Sequence, residues 1–277
     1  MLPRYPTGTP RPAPAATALR VLAFLVALAA PVAADERDAA GRELAAGVFE
    51  RPDGDDAVSA ATMTLTLAGG LERRRLFRIY QAERRDAEQV LIRFEDPVNI
   101  RDTGLLVDSD SDNVWLYLPA LDRVRRISSE NRGGRFVQSQ LYFEDLETRH
   151  PDEDRHRLLP DGEYQGVTTR VLESVPVDPA GSVYTRRVSW IHPELLVPLR
   201  IDFYEGDEAP GKRLEVIRLD EIQGYWTVTE SLVTDLQRGD STRITVDAIR
   251  YDIGLPESLF TTSALGSPDD DPRPLAR

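Results

Sequence analysis

The sequence predicts a mainly β fold, built as a large curved antiparallel sheet, a barrel or a sandwich. Three observations predict it. From residue 62 onward apolar residues recur with period two, the spacing of a strand with one covered face. Turn signals follow one another about every 12 to 15 residues beyond residue 163, at Pro179-Ala180-Gly181, His192-Pro193-Glu194, Pro210-Gly211, Gln223-Gly224 and Gly239-Asp240. That rhythm means consecutive hairpins and leaves no room for the crossover helices of a parallel sheet. Only one stretch, near the start, reads as a helix. Eleven or twelve strands are expected.

Taken in order, the chain opens as a secretory leader. Arg4, Arg11 and Arg20 supply positive charge, Leu19 to Ala30 forms a largely apolar run, and Val32-Ala33-Ala34 offers small residues for cleavage. The expected mature start is Asp35. The apolar run is shorter than the ~20 residues of a spanning helix; an uncleaved anchor is the alternative. Asp38 to Phe49 reads as a short amphipathic helix capped by Asp38, with Leu44 and Val48 on one side, and Pro52-Asp53-Gly54 ends it. Met63, Leu65 and Leu67 then alternate with Thr62, Thr64 and Thr66, and Gly69-Gly70 makes a hairpin turn. Phe77 and Ile79 lie on the return strand. Ala87 to Phe94 and Leu105 to Val107 are further strands. The charged segment 147–162 reads as irregular, with room for one helical turn. Strands resume from 163, at about 163–174, 182–192, 195–205, 212–222, 225–236 and 241–251. Residues 264–277 are expected to be a disordered acidic tail.

The central stretch is Asn113 to Leu146. In its first strand Val114, Leu116 and Leu118 point one way and Trp115 and Tyr117 the other, so both faces are expected to be covered. Pro119 stops the ladder because it has no N–H to donate. A second short strand, Arg123 to Ile127, follows. After a glycine-containing loop come the aromatics Tyr142 and Phe143 and the acidic pair Glu144 and Asp145.

The run W-L-Y-L-P-A-L-D-R-V-R-R-I, with a downstream aromatic followed by E-D-L, resembles the outer-membrane lipoprotein-sorting, LolA-like family, in the subfamily associated with RND-type exporters. R-F-E-D-P (Arg93 to Pro97) and D-T-G-L-L (Asp102 to Leu106) fit the same pattern, and the resemblance spans about residues 60 to 260. The family usually has a Phe-Met-Gly-Ser-like stretch where this chain reads F-V-Q-S, Phe136 to Ser139. The resemblance implies one antiparallel sheet of about 11 strands wrapped into an incomplete barrel, with helices over the concave face; a β-sandwich is the alternative. It implies a carrier domain at 35–263, after the leader at 1–34. It implies a periplasmic protein that shields the acyl chains of a lipoprotein or a free lipid; the sequence leaves the oligomeric state open, with a monomer expected. An RND-type inner-membrane exporter is the implied partner, and an envelope adaptor without cargo is the rival reading.

Composition narrows the function classes. The 277 residues carry a formal charge of −13, and removing the three leader arginines takes it to −16. Nucleic-acid binding needs a basic face, so it is not expected. With no cysteine there is no disulfide framework, thiol chemistry or acylated cysteine. Lys212 is the sole lysine.

No catalytic constellation can be assembled. There are three histidines, His150, His156 and His192, and no nucleophile elbow. His150 and His156 with Asp152, Glu153 and Asp154 lack a metal-site spacing, and a solvated loop is the simpler reading. Asp108 to Asn113 imitates half a calcium loop, but Asn113 and Pro119 stand where glycine and glutamate are needed, so it reads as a hairpin turn. Arg73, Arg74 and Arg75, and Arg186 with Arg187, are expected to pair with carboxylates across strands, with lipid phosphates as the alternative. No metal and no cofactor are expected. The candidate ligand-binding set is apolar: Met63, Leu65, Leu67, Phe77, Ile79, Val90, Ile92, Trp115, Tyr117, Phe136, Tyr142, Phe143, Ile201, Phe203 and Trp226. A packed core explains any one of them; the resemblance implies that part of the set lines a greasy cavity.

Overall fold

The computed structural model describes residues 29–84, 87–109, 113–206, 208–268 and 271, with the backbone alone for 29–34. The expected leader falls mostly outside them. Helix α1 (Ala29–Phe49) precedes thirteen strands: β1 (Asp56–Thr66), β2 (Glu72–Arg84), β3 (Ala87–Asp96), β4 (Gly104–Asp108), β5 (Asn113–Leu118), β6 (Arg123–Ile127), β7 (Asp154–Tyr164), β8 (Val167–Pro176), β9 (Arg186–Ile191), β10 (Pro198–Tyr204), β11 (Lys212–Ile222), β12 (Tyr225–Asp235) and β13 (Ser241–Tyr251). A one-turn helix, α2 (Thr262–Leu265), follows.

All thirteen strands form one antiparallel sheet in the order β6-β5-β4-β3-β2-β1-β13-β12-β11-β10-β9-β8-β7. It is not closed: β6 and β7 are its free edges, which makes it an incomplete barrel and not a sandwich. Two runs of next-neighbour hairpins meet at a single seam, where β1 pairs with β13 from Ala57↔Tyr251 to Thr66↔Ser241.

The concave face carries the main core. Met63, Leu65, Phe77, Val90, Ile92, Phe94, Leu105, Val107, Val114 and Leu116 pack with Phe136, Leu141 and Phe143 from the long connection after β6. The convex face of β2 to β5 is covered by the segment that follows β13. Tyr80, Leu91, Leu106, Tyr117 and Trp115 pack under Leu255, Leu259, Phe260 and Leu265. The two-faced reading of β5 therefore holds. Arg93 is buried on this convex side and donates to the Leu265 carbonyl (2.9 Å) and to Asp271 (3.0 Å). The start of the expected tail is thus docked, not disordered, because α2 and Asp271 answer a guanidinium that must be satisfied.

Two other expectations change. The charged segment 147–162 contains the one helical turn (Pro151–Glu153) but then β7, a full edge strand. Its first four residues are all polar and a register shift after Leu159 breaks the alternation, which conceals the period. Helix α1 begins before Asp38, so that residue is no cap; its carboxylate receives Arg157 of β7 at 3.1 Å. Gly41 explains how closely α1 sits on β7. A Cβ there would lie 2.9 Å from the backbone nitrogen of Arg157 and 2.9 Å from the carbonyl carbon of His156. Leu44, Ala45 and Val48 then pack on Leu158, Leu172 and Ile191, over the β7 to β9 end of the concave face.

Candidate functional site

One end of the concave face is filled and the other is hollow. The filled end lies under residues 128–147, the strap from β6 towards β7. Phe136 sits 5.6 Å from Phe94 and 5.8 Å from Phe143, ring centre to ring centre. Arg75 donates to the Val137 carbonyl and Arg73 to Gln138 Oε1 (3.0 Å), so these arginines hold the strap and form no ion pair with a carboxylate among the described residues. Val137 and Gln138 both have positive φ, 44° and 63°. A left-handed backbone there suits glycine, and Gln138 stands where the lipoprotein-sorting pattern has Gly.

The acidic pair after the aromatics fixes the strap to the far half of the sheet. Glu144 accepts from Arg187 (2.5 Å), from Ser182 (2.5 Å) and from the Val183 amide (2.7 Å). Asp145 accepts from Tyr184 (2.7 Å) and pairs with Lys212, which is buried among Tyr142, Tyr184 and Phe203. Burial pushes the Lys212 ammonium below its ordinary pKa, with the Asp145 carboxylate pulling the other way.

The hollow end holds a cavity of about 840 Å³. It exists because β1 changes character along its length. Met63 and Leu65 lie under the strap, but Ala57 and Ser59, on the same face, are too small to fill the space. Ile79 and Gln81 of β2 form one wall; Ile244, Val246, Ile249 and Tyr251 of β13 form the other. Trp226, Thr227 and Val228 of β12 extend it, and the Tyr251 hydroxyl bonds to Thr227 Oγ1 at 2.8 Å. Residues 50–55, between α1 and β1, cross the mouth, tied down where Arg51 donates to the Trp226 carbonyl (3.0 Å). The mouth is acidic, with Glu50, Asp53, Asp55 and Glu83. Burial raises the Asp53 carboxyl above its ordinary pKa, while Arg51 opposes the shift. A second cavity of about 320 Å³ adjoins it beneath α1, lined by Ala45, Val48, Leu172, Ile191 and His156; the two share Phe49, Asp53, Glu88 and Thr148.

The expected ligand-binding set divides. Ile79 and Trp226 line the larger cavity. Met63, Leu65, Phe77, Val90, Ile92, Phe136 and Phe143 are packed in the strap-covered core. Trp115 and Tyr117 face the other side of the sheet, under the C-terminal segment. Leu67 lies just past the end of β1, Ile201 and Phe203 are on β10, and Phe203 packs on Tyr184 (4.8 Å) beside Tyr142. The β13 wall was missed because the sequence alternation breaks within it. Ile244 and Val246 are even, Ile249 and Tyr251 odd; a bulge between the pairs Ala60↔Ala248 and Ala61↔Val246 returns all four to one face.

The histidines have structural roles. His150 caps the turn before β7, His156 is held between Ser174 (2.9 Å) and the Pro151 carbonyl (2.8 Å), and His192 accepts from two amides of its turn. No cluster able to hold a metal ion occurs among the described residues. The calcium-like run lies partly outside them.

Fold and site together define a class: a mainly β protein whose single open sheet curls around an internal cavity. Comparison with solved structures gives the family. The chain is 32% identical to a domain from Vibrio parahaemolyticus described as an outer membrane lipoprotein-sorting protein, covering 83% of this chain and 99% of that one with a TM-score of 0.78. A DUF1329 family protein from Desulfovibrio piger matches with the same identity, coverage and score. A LolA superfamily protein from Nitrosomonas europaea shares the fold at 16% identity, with 81% and 98% coverage and a TM-score of 0.66. A family model described as that of an uncharacterized protein matches residues 86–267, and a comparison with curated proteins finds no match. The chain belongs to the family of the two 32%-identical proteins, the outer-membrane lipoprotein-sorting, DUF1329 family, and shares its fold with the LolA superfamily protein.

Proposed function

We propose that this protein is a periplasmic carrier. It takes the acyl chains of a lipoprotein, or a free lipid, into the concave cavity and moves them between membranes, without chemistry of its own. The chain is exported with its leader removed after Ala34, acts as a monomer, and works with an RND-type inner-membrane exporter. The observation that carries the reading is the cavity of about 840 Å³ on the seam, with Ile79, Ile244, Val246 and Ile249 as apolar walls. Its size falls within the roughly 300–1,000 Å³ of ordinary ligand pockets. Each methylene moved out of water gains about 0.8 kcal/mol, so a long acyl chain needs such a shelter to cross an aqueous space. Membership of a lipoprotein-sorting family supports the same reading.

Native mass spectrometry of protein recovered from periplasm, with lipid extraction of the same sample, tests it. A stoichiometric lipid is expected. Ser59→Trp and Val246→Trp, which fill the cavity from opposite walls, are expected to weaken uptake of a fluorescent fatty-acid probe at least ~10-fold, with the far-UV circular dichroism of a folded sheet retained. A lipid-free protein that takes up no probe overturns the carrier reading in favour of an adaptor.

A further inference from the structure

Nine large apolar side chains are exposed among the described residues, and the topology sorts them by end. Strands β1, β3, β5, β8, β10 and β12 run in one direction, so the connections that follow them form one rim. Leu71, Val98, Leu121, Val177 and Leu236 all lie on that rim. Phe49, Trp226 and Ile253 lie at the opposite end, by the cavity mouth, and Ile217 is within β11. Val98 (74% exposed) and Leu121 (64%) stand on neighbouring tips, those following β3 and β5.

Around these tips the charge balance of the chain inverts. The stretches 71–75, 96–102 and 119–126 hold seven arginines and four carboxylates, in a chain with 34 basic and 47 acidic residues. Most arginines elsewhere on the sheet are paired, as Arg78 with Glu95, Arg186 with Glu173 and Arg213 with Asp202; Arg155 and Arg250, on separate strands, are exceptions. Around these tips the arginines cluster without an ion pair to any described residue. Arg101 donates to the Glu95 carbonyl (3.0 Å), and Arg123, Arg125 and Arg126 on the free edge strand form no ion pair with any described residue. Charges on an edge strand discourage sheet-to-sheet pairing, which explains arginines on β6 but not the bare Val98 and Leu121 beside them. Apolar tips flanked by unpaired arginines match a bilayer surface, where the headgroup region buries the former and lipid phosphates meet the latter.

We propose that this rim docks on an anionic bilayer surface. Val98 and Leu121 enter the headgroup region, and Arg101, Arg123 and Arg125 meet the phosphates. The cavity mouth, at the other end, is left facing the aqueous side. The proposal stands independently of what the cavity holds.

The test is flotation of the full mature chain with vesicles of phosphatidylcholine alone or mixed with phosphatidylglycerol. Binding to the mixed vesicles at low salt, released by high salt, is expected. V98E/L121E is expected to bind at least ~10-fold more weakly, and R123E/R125E to lose the preference for phosphatidylglycerol. Ile217→Glu, within β11, is expected to bind like the parent. All these positions are at the surface, and circular dichroism verifies the fold; should V98E/L121E unfold, R123E/R125E alone decides. Absence of binding to the mixed vesicles at low salt overturns the proposal, as does undiminished binding of the charge and tip variants.

Discussion

Lys212 shows what a single residue holds together here. It is buried, pairs with Asp145, and is ringed by Tyr142, Tyr184 and Phe203. Lys212→Met would remove one partner and leave Asp145 as a buried charge answered only by hydroxyl and amide donors. Breaking such a pair costs about 3–5 kcal/mol, read as a lowered urea midpoint; adding Asp145→Leu is expected to recover part of the loss. Asp202 sets a pH dependence. Burial pushes its carboxyl up, but hydrogen bonds from Arg200 and Arg213 outweigh that and hold it below its ordinary pKa. A depressed carboxylate contributes stability that is fully present above its unfolded pKa of about 3.9 and is lost as pH falls through the lower folded value. Urea unfolding measured downward from pH 5 is therefore expected to lose stability, less steeply in Asp202→Asn. The sequence showed the E-D pair as a motif but not its partners, because Arg187 and Lys212 lie 43 and 67 positions away and only the curl of the sheet brings them over the strap.

Among the elements, α1 depends on one glycine. In Gly41→Ala the added Cβ would press on the backbone of β7 at 2.9 Å, which cannot rotate away. Alanine favours an isolated helix, yet the helix must lift from its seat, at a cost of about 1–3 kcal/mol typical of overpacking. The expected outcome is faster proteolytic release of the segment before β1, with the sheet intact. The strands that alternate apolar with polar residues were legible: β5 and β12 fall where period two puts them, as does the second half of β1, which starts at Asp56, ahead of the alternation seen from Thr62. β7 was not, because its first four residues are all polar and a register shift after Leu159, at Pro160-Asp161-Gly162, breaks the alternation; the inward set of β13 was hidden by its bulge. The strap was readable as a loop. Nothing local shows that its aromatics fill the very face that Met63, Leu65 and Phe77 offered as a ligand surface.

At the scale of the whole molecule the two ends differ in kind. One presents the acidic cavity mouth, the other a rim with apolar tips and unpaired arginines. Net charge, a property of the chain as a whole, concealed this division, which only the alternating strand directions reveal. The incomplete barrel was legible in outline from hairpin rhythm and family resemblance. The position of the hollow was not, since it depends on where Ala57 and Ser59 fall in register against β2 and β13.

That register has a consequence for how the site comes into being. Every other ladder joins strands that are neighbours in the chain, so each half of the sheet can zip up through local contacts with little loss of loop entropy. The β1–β13 ladder alone must close a loop between residues 57 and 251. The hollow straddles it, with Ala57 and Ser59 on one bank and Ile249 and Tyr251 on the other. Neither half-sheet encloses the hollow by itself, and the cavity does not exist until the first and last strands have met.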